Sequence, residues 1–461
     1  MTNCFNSFPV QSRSSPLLSR LLLVVLLLVA SFPAVADGPL RDPTSVAKDF
    51  VDILSHENFA AAVQRFDTTM LAALPEPKLK EAWQSVISSV GPFQKQLRTR
   101  TEQMGGYDIV FVTSQFANAN LDIKVVLNAK RQIAGLFFQP AAAQTAPLPE
   151  PAYVRPDAYR EKPVTVGSGK WALPGTLNLP HGSGPFPAVV LVHGSGPGDR
   201  DETVGPNKPF RDLARGLASQ GIAVLRYEKR TKQYPAECVA LGANFTVQDE
   251  TIDDALAAVA LLTNTPGIDW QRIFVLGHSL GGMLAPRIAN GAPHLAGLII
   301  MAAGNRSLDE TVVDQMDYIA SLQPDMSPEA RKQFDGFKAQ MAKVKALTTN
   351  DLTSTNLLLG APPRYWLDLK GYVPARAAET LHCPMLILQG ASDYQATASD
   401  FEVWQQQLKG RNNITFKLYP DLNHLFITGT GKCTPAEYEK PGHLAPEVVR
   451  DIGQWLTQLR H

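Results

Sequence analysis

Apolar and polar positions along this chain follow two regimes, and the change between them divides it. From residue 43 the apolar positions recur at helical spacing. Val46, Phe50, Val51 and Leu54 share one face, followed by Phe59, Val63 and Phe66, and then by Trp83, Val86 and Ile87. Two or three amphipathic helices are predicted there. Period-two stretches come next: Phe93 to Arg100, Tyr107 to Phe116, Asn118 to Leu127 and Gln132 to Phe138. Helices followed by a strand meander predict a small α+β domain over residues 43–140. Nothing in it carries catalytic chemistry, so binding or dimerisation is the role left to it.

An Ala/Pro-rich stretch over residues 141–160, with Pro147, Pro149 and Pro151, predicts an extended linker. From residue 161 short apolar runs alternate with helical patterns, the signature of a mostly parallel α/β sheet. The predicted strands are Pro163–Val166, Trp171–Leu179, Ala188–Val192, Ala223–Tyr227, Ile273–Leu276, Leu298–Met301, Met385–Leu388 and Thr415–Tyr419. Over about 305–380 the alternation stops and helical patterns take over. Ser307 with Glu310 makes a capping box and Ser327-Pro328 a second helix start. An insertion there predicts a helical cap over the sheet's C-terminal edge, where open α/β sheets bind ligands.

The first 36 residues change the picture of compartment. Arg13 and Arg20 precede an uncharged run, Leu21 to Ala30, and Ala34-Val35-Ala36 supplies small residues for cleavage. The apolar run is about half of a bilayer span, so residues 1–36 predict a signal peptide and a periplasmic or secreted protein with no stable membrane insertion. Removing two arginines from 43 basic residues leaves 41 against 43 acidic ones. Such near-neutrality argues against nucleic acid as a partner. Cys238, Cys383 and Cys433 show no metal-ligand spacing, and no metal site is expected.

The chemistry concentrates at Gly277-His278-Ser279-Leu280-Gly281-Gly282. A strand, then G-x-S-x-G, then a helix makes a nucleophile elbow, which sets Ser279 on a strained turn at a helix N-terminus. A serine hydroxyl needs a base, and the base an orienting acid. Asp393 follows the strand after the cap, and His424 follows the final strand. Ser279, Asp393 and His424 therefore stand in the chain order of this elbow topology. Asp421 and Asp400 are rivals for the acid, and His443 for the base. The remaining histidines, His278 included, carry no assigned role. Backbone N–H groups of Leu280 and Ser195 are the expected oxyanion donors, the latter from His193-Gly194-Ser195 after the third strand of the sheet. Asp199-Arg200-Asp201-Glu202 and Glu228-Lys229-Arg230 bring dense charge close by, read as an ion-pair network ahead of a substrate contact.

These residues resemble the α/β-hydrolase superfamily, in its branch of secreted esterases and serine-aminopeptidase-like hydrolases. The resemblance rests on H-G-S-G-P-G-D-R-D-E at 193–202, R-Y-E-K-R at 226–230, G-H-S-L-G-G at 277–282, G-A-S-D at 390–393 and N-H at 423–424. It spans residues 161–461 and implies an α/β-hydrolase sheet that cleaves a small-molecule carboxylic ester without a cofactor. The front domain resembles a domain of unknown function found ahead of such hydrolases. A serine aminopeptidase is the second reading, requiring Asp199, Asp201 or Glu202 to hold a substrate ammonium; an acyl thioesterase is the third. In this fold Cys238 and Cys433 fall in loops near the same sheet edge, so a disulfide between them is expected, with Cys383 as a buried free thiol. Val312, Met316, Ile319, Leu322, Phe334, Phe337, Met341, Tyr365 and Trp366 make the cap apolar, which favours short to medium acyl esters.

Overall fold

A computed structural model describes residues 41–104, 107–141, 148–326 and 328–459. The predicted signal peptide lies outside the described residues. The chain divides between residues 144 and 145 into two compact units.

Among the described residues of the first unit, four helices precede a meander: α1 (Pro43–Ser55), α2 (Phe59–Val63), α3 (Thr68–Ala73) and α4 (Glu76–Val90). Asp42 caps α1 by accepting from the Ser45 N–H, and Pro43 sits in the first turn, where no backbone donor is needed. The strands β1 (Phe93–Met104), β2 (Tyr107–Phe116), β3 (Asn120–Leu127) and β4 (Ile133–Pro140) pair antiparallel in chain order. Val46, Phe50, Val51 and Leu54 of α1 pack on Val110, Val112, Ile123 and Val125, the period-two faces of β2 and β3.

The second unit holds an eight-stranded sheet in the order β12-β11-β10-β9-β7-β8-β6-β5. Its strands are β5 (Tyr159–Val166), β6 (Leu173–Pro180), β7 (Phe186–Val192), β8 (Ala223–Tyr227), β9 (Ile268–His278), β10 (Gly297–Met301), β11 (Met385–Gly390) and β12 (Ile414–Tyr419). β5 and β6 are antiparallel, and every pairing from β8 to β12 is parallel. The apolar runs lack polar alternation because both faces are covered. Val190 and Val192 of β7 point into one core, with α6 (Asp253–Thr263) and α7 (Leu280–Gly291) on it. Val189 and Leu191 point into the other, with α5 (Pro209–Ala218) and α13 (Pro446–Gln458). Between β10 and β11 the cap contributes α8 (Leu308–Ser321), α9 (Pro328–Ala346), α10 (Pro363–Leu369) and α11 (Pro374–Ala378), and α12 (Ala398–Gln407) follows β11. Among the described residues no helix is long and apolar enough to cross a membrane.

Two expectations are corrected. The linker is not a free spacer throughout. Arg155 donates its N–H to Ser219 Oγ (2.8 Å), Tyr153 donates to the Leu444 carbonyl (3.0 Å), and Val154 and Tyr159 pack with Ala218. Residues 149–160 are thus docked on the second unit. The Cys238–Cys433 disulfide is absent, and all three described cysteines are free. Cys238 rests on the Arg230 carbonyl within a helical turn, whereas Cys433 packs with Tyr394, Leu425 and Tyr438. Separate seats leave the two sulfurs no shared loop to close. Burial pushes the thiols up to about 11 and about 12 respectively, so both stay protonated. Cys383, expected buried, is half-buried.

Candidate active site

Ser195, Ser279, Asp393 and His424 follow the C-terminal ends of β7, β9, β11 and β12 respectively. At the end of β9, Ser279 is held at φ 53° and ψ −119°, a conformation that costs a non-glycine residue of order 1–3 kcal/mol. Its neighbours explain how the turn is tolerated. A Cβ on Gly281 would run into the Val192 carbonyl and stand 2.6 Å from that of His193. One on Gly277 would meet the Gly281 carbonyl and stand 2.6 Å from the Gly282 nitrogen. Ser279 also donates its N–H to the Met301 carbonyl at 2.9 Å, which pins the elbow to β10. Leu280 opens α7, so its N–H belongs to the first turn, which has no intrahelical acceptor. Ser279 is half-buried and reachable from outside.

Behind the elbow, His424 donates Nδ1–H to Asp393 Oδ2 at 2.7 Å, with both side chains buried. That bond fixes the tautomer and leaves Nε2 as the basic nitrogen. Asp393 is held in turn. Gln389 Nε2 donates to Oδ2 (3.1 Å), and the N–H groups of Gln395 and Ala396 donate to Oδ1 (2.7 and 3.2 Å). The rival residues are engaged elsewhere. Asp400 caps α12 with Thr397 and pairs with Arg306 at 2.9 Å, and Asp421 is exposed. His443 sits between Asp212 Oδ2 and the Pro149 carbonyl, each at 2.9 Å.

The loop after β7 lies against the serine. A Cβ built on Gly194 would be 3.1 Å from Ser279 Cβ and 3.6 Å from its Oγ. The Gly194 N–H donates to Glu202 Oε1 at 2.7 Å, and the Gly194 carbonyl accepts from Lys229 Nζ at 2.7 Å. Ser195, next in the chain, is exposed.

Sequence reasoning passed over His278. It is buried, and its Nε2–H donates to the His424 carbonyl at 2.8 Å while Nδ1 stands 3.1 Å from Glu202 Oε2. A carbonyl on one nitrogen and a carboxylate 3.1 Å from the other favour the imidazolium, although the Nδ1–Oε2 approach lacks hydrogen-bond geometry. Burial alone would depress the His278 pKa, but Glu202, the His424 carbonyl and Asp393 together outweigh it and hold the group above the ordinary 6.5. Burial likewise works against ionised Glu202, and His278, His193 and the Gly194 N–H hold it below 4.5. The only signal in the sequence was a histidine at the variable position of G-x-S-x-G, with no hint of its partner.

The other charges form ion pairs. Arg226 pairs with Asp201 and Glu161, and Lys208 with Asp201 at 2.9 Å. Arg200 pairs with Glu228 at 2.7 Å, and Arg230 makes two bonds to Asp254. Asp199 accepts from Thr203 Oγ1 at 2.7 Å and from the N–H groups of Asp201 and Thr203. Among the described residues no group of three or more His, Cys, Asp or Glu side chains is placed to hold a metal ion.

Cap residues reach the same end of the sheet. Tyr318 of α8 donates to the Cys433 carbonyl at 3.0 Å, and with Ile319 it packs against the group formed by Tyr394, Leu425 and Tyr438. Of the apolar cap positions, Val312, Met341, Tyr365 and Trp366 are buried and Leu322 is exposed. Met316, Ile319, Phe334 and Phe337 are half-buried.

Comparison with known proteins gives matches to both units. The family described as serine aminopeptidase, S33, matches residues 185–430, and a family of proteins of unknown function (DUF3887) matches residues 47–136. Esterase EstD of Thermotoga maritima is 39% identical over 409 residues, covering 89% of this chain and 94% of that protein. Among solved structures, an esterase of Pyrococcus furiosus is similar with a TM-score of 0.42 and 18% identity, over 65% of this chain and 91% of that one. Est1E from Butyrivibrio proteoclasticus is similar with a TM-score of 0.41 and 14% identity, over 64% and 99%.

Proposed function

The chain belongs to the hydrolase family described as serine aminopeptidase, S33, within the α/β-hydrolase fold, and from that premise we propose that it is a carboxylesterase working through an acyl-enzyme on Ser279. Ser279 Oγ attacks the ester carbonyl while His424 Nε2 takes the hydroxyl proton. The carbonyl oxygen becomes an oxyanion, held by the N–H groups of Ser195 and Leu280. Collapse breaks the bond to the alkoxy oxygen, which leaves as the alcohol with the proton from His424. Water then attacks the acyl carbonyl with His424 again as base, and the acid departs from Ser279. Asp393 holds the ring and stabilises the imidazolium. The observation that carries this reading is the buried 2.7 Å bond from His424 to Asp393, behind a serine strained at φ 53°.

The carboxylates decide between ester and aminoacyl substrates. An aminopeptidase needs one to meet the substrate ammonium. Asp201 is taken by Arg226 and Lys208, Glu202 by Gly194 and His278, and Asp199 by its own loop. A charged amine would therefore have to break an existing pair and lose hydration as well. Each methylene of an acyl chain buried against apolar cap residues contributes about 0.8 kcal/mol. We therefore assign uncharged esters of short to medium acyl chains as substrates. The basic, apolar and small-residue segments of the leader assign the chain to the exported compartment.

The test is a panel of aryl esters of graded chain length beside alanyl and prolyl anilides. The expected result is a higher kcat/KM for aryl butyrate than for either anilide, with turnover of both classes lost in Ser279→Ala. A higher value for an anilide would return the aminopeptidase reading.

A further inference from the structure

Lys229 is a charged residue that the mechanism above does not use, and its surroundings are unusual. Its side chain is only 3% exposed and that of its partner Glu250 only 6%, with Nζ 2.6 Å from Glu250 Oε1. Burying such a pair is worth little for stability compared with apolar packing of the same volume. The ammonium has a second contact, the Gly194 carbonyl at 2.7 Å. That carbonyl belongs to the peptide whose N–H is the N–H of Ser195. We propose that Lys229 is a positioning residue for the oxyanion site, gripping the Gly194–Ser195 peptide by its carbonyl so that the Ser195 N–H is aimed and polarised toward the reacting oxygen. The inference rests on the esterase reading and deepens it.

Four features support the grip. The peptide plane is rigid, so fixing its carbonyl fixes its N–H. A donor on the carbonyl withdraws charge and strengthens the N–H as a donor in turn. The preceding peptide is fixed as well, since the Gly194 N–H is bound by Glu202, and the loop is clamped on both sides of the glycine. The Lys229 backbone N–H also donates to the Gly198 carbonyl at 3.1 Å, which joins the start of the loop after β8 to the loop it steadies.

The support for Lys229 has its own architecture. Glu250 lies in a π-helical turn, Gln248–Ile252, a form that interrupts regular helix mostly at functional sites. Its second oxygen accepts from the Tyr365 hydroxyl at 2.6 Å. Tyr365 is buried in α10, so the chain of contacts from Ser195 passes through Gly194, Lys229 and Glu250 to the cap. Burial, with Glu250 beside it, holds the phenol well above its ordinary value, and Tyr365 remains a donor.

The test compares Lys229→Met and Lys229→Met/Glu250→Gln with the wild type. The double variant removes both charges, so no lone buried ion weakens folding. Active sites are counted by fluorophosphonate titration, which corrects for any misfolded fraction. For aryl butyrate the expected result in both variants is a kcat per titrated site lower by about 10- to 100-fold, with KM within twofold. Affinity for an aryl trifluoromethyl ketone, whose serine adduct carries an oxyanion, should fall by the same factor. A purely structural role would lower thermal stability and the number of titratable sites but leave kcat per site within threefold, and that result overturns the proposal. So does a loss confined to KM, or ketone affinity that stays at the wild-type level. Ser279→Ala separates the two levels of the argument. If it still turns over esters, the esterase mechanism itself fails. If it is inactive while the Lys229 variants keep kcat per site, only this inference fails.

Discussion

At the scale of single residues, the site is a set of groups each held by more than one bond. Asp393 accepts four hydrogen bonds, so replacing it by asparagine should leave the loop folded while reversing the hydrogen-bond sense toward His424. Asp393→Asn is expected to lower kcat by roughly 10³–10⁴-fold with little change in KM, measured on aryl butyrate at fixed pH. His278 and Glu202 give a pH signature of folding. The carboxylate of Glu202 is held below 4.5, so its contribution is present above that pH and is lost as pH falls through the folded-state value. The His278 imidazole is held above 6.5, so its contribution is complete below that pH and is lost as pH rises through the folded-state value. The stabilisation is therefore greatest between those two ordinary values. The Tm difference between wild type and Glu202→Gln should peak there and narrow on both sides, whereas a difference constant from pH 4 to 9 would contradict the ionic pairing. The pairing itself is not legible in the sequence. Glu202 reads there as part of an ion-pair network and His278 as part of the elbow, with β8 and most of β9 between them in the chain until the fold brings them together.

At the scale of elements, the strands were the most legible part of the second unit. Runs such as Val189-Val190-Leu191-Val192 and Leu298-Ile299-Ile300-Met301 are short, rich in branched residues and apolar on both faces, which fits a strand covered on both sides. Boundaries shifted where hydrogen bonding outlasts the apolar run. β9, for example, starts at Ile268, five residues before its predicted start. Among its described residues the front unit has four helices rather than two or three, because α3 is too short to show a repeating face. The start of α12 illustrates what sequence could not rank. Asp400, a rival for the acid, accepts from Thr397 N–H and Oγ1, each at 2.9 Å, and from Arg306, and Arg306 with Thr397 keeps its carboxyl below the usual range against the effect of burial. Asp400→Ala is accordingly expected to destabilise the second unit by about 2 kcal/mol, seen as a lower denaturation midpoint, while the folded enzyme keeps its kcat. A large loss of kcat per titrated site would instead place Asp400 in the catalytic machinery.

At the scale of the whole molecule, catalysis is assigned to one unit and its sheet edge. The ends of β7, β9, β11 and β12 are distant in the chain but fall within five consecutive strands of the sheet, with β10 between β9 and β11, which is why four separate motifs could be read together from the sequence. What stayed hidden was the polar wiring beneath them. Lys229, Glu250 and Tyr365 come from three elements, and a buried charge looks like any other charge until its partner is placed. The docking of residues 149–160 was hidden for a similar reason, since Pro-rich composition reports stiffness and not what the segment lies on. The central claim is that ester cleavage passes through a covalent acyl group on Ser279. The most direct measurement is acid quenching during turnover of aryl butyrate, followed by mass spectrometry of the digested protein. The account predicts one added butyryl group on the peptide carrying Ser279, appearing with the burst of aryl alcohol and absent from Ser279→Ala. A butyryl group on any other residue, or steady turnover by Ser279→Ala with no adduct, would contradict it.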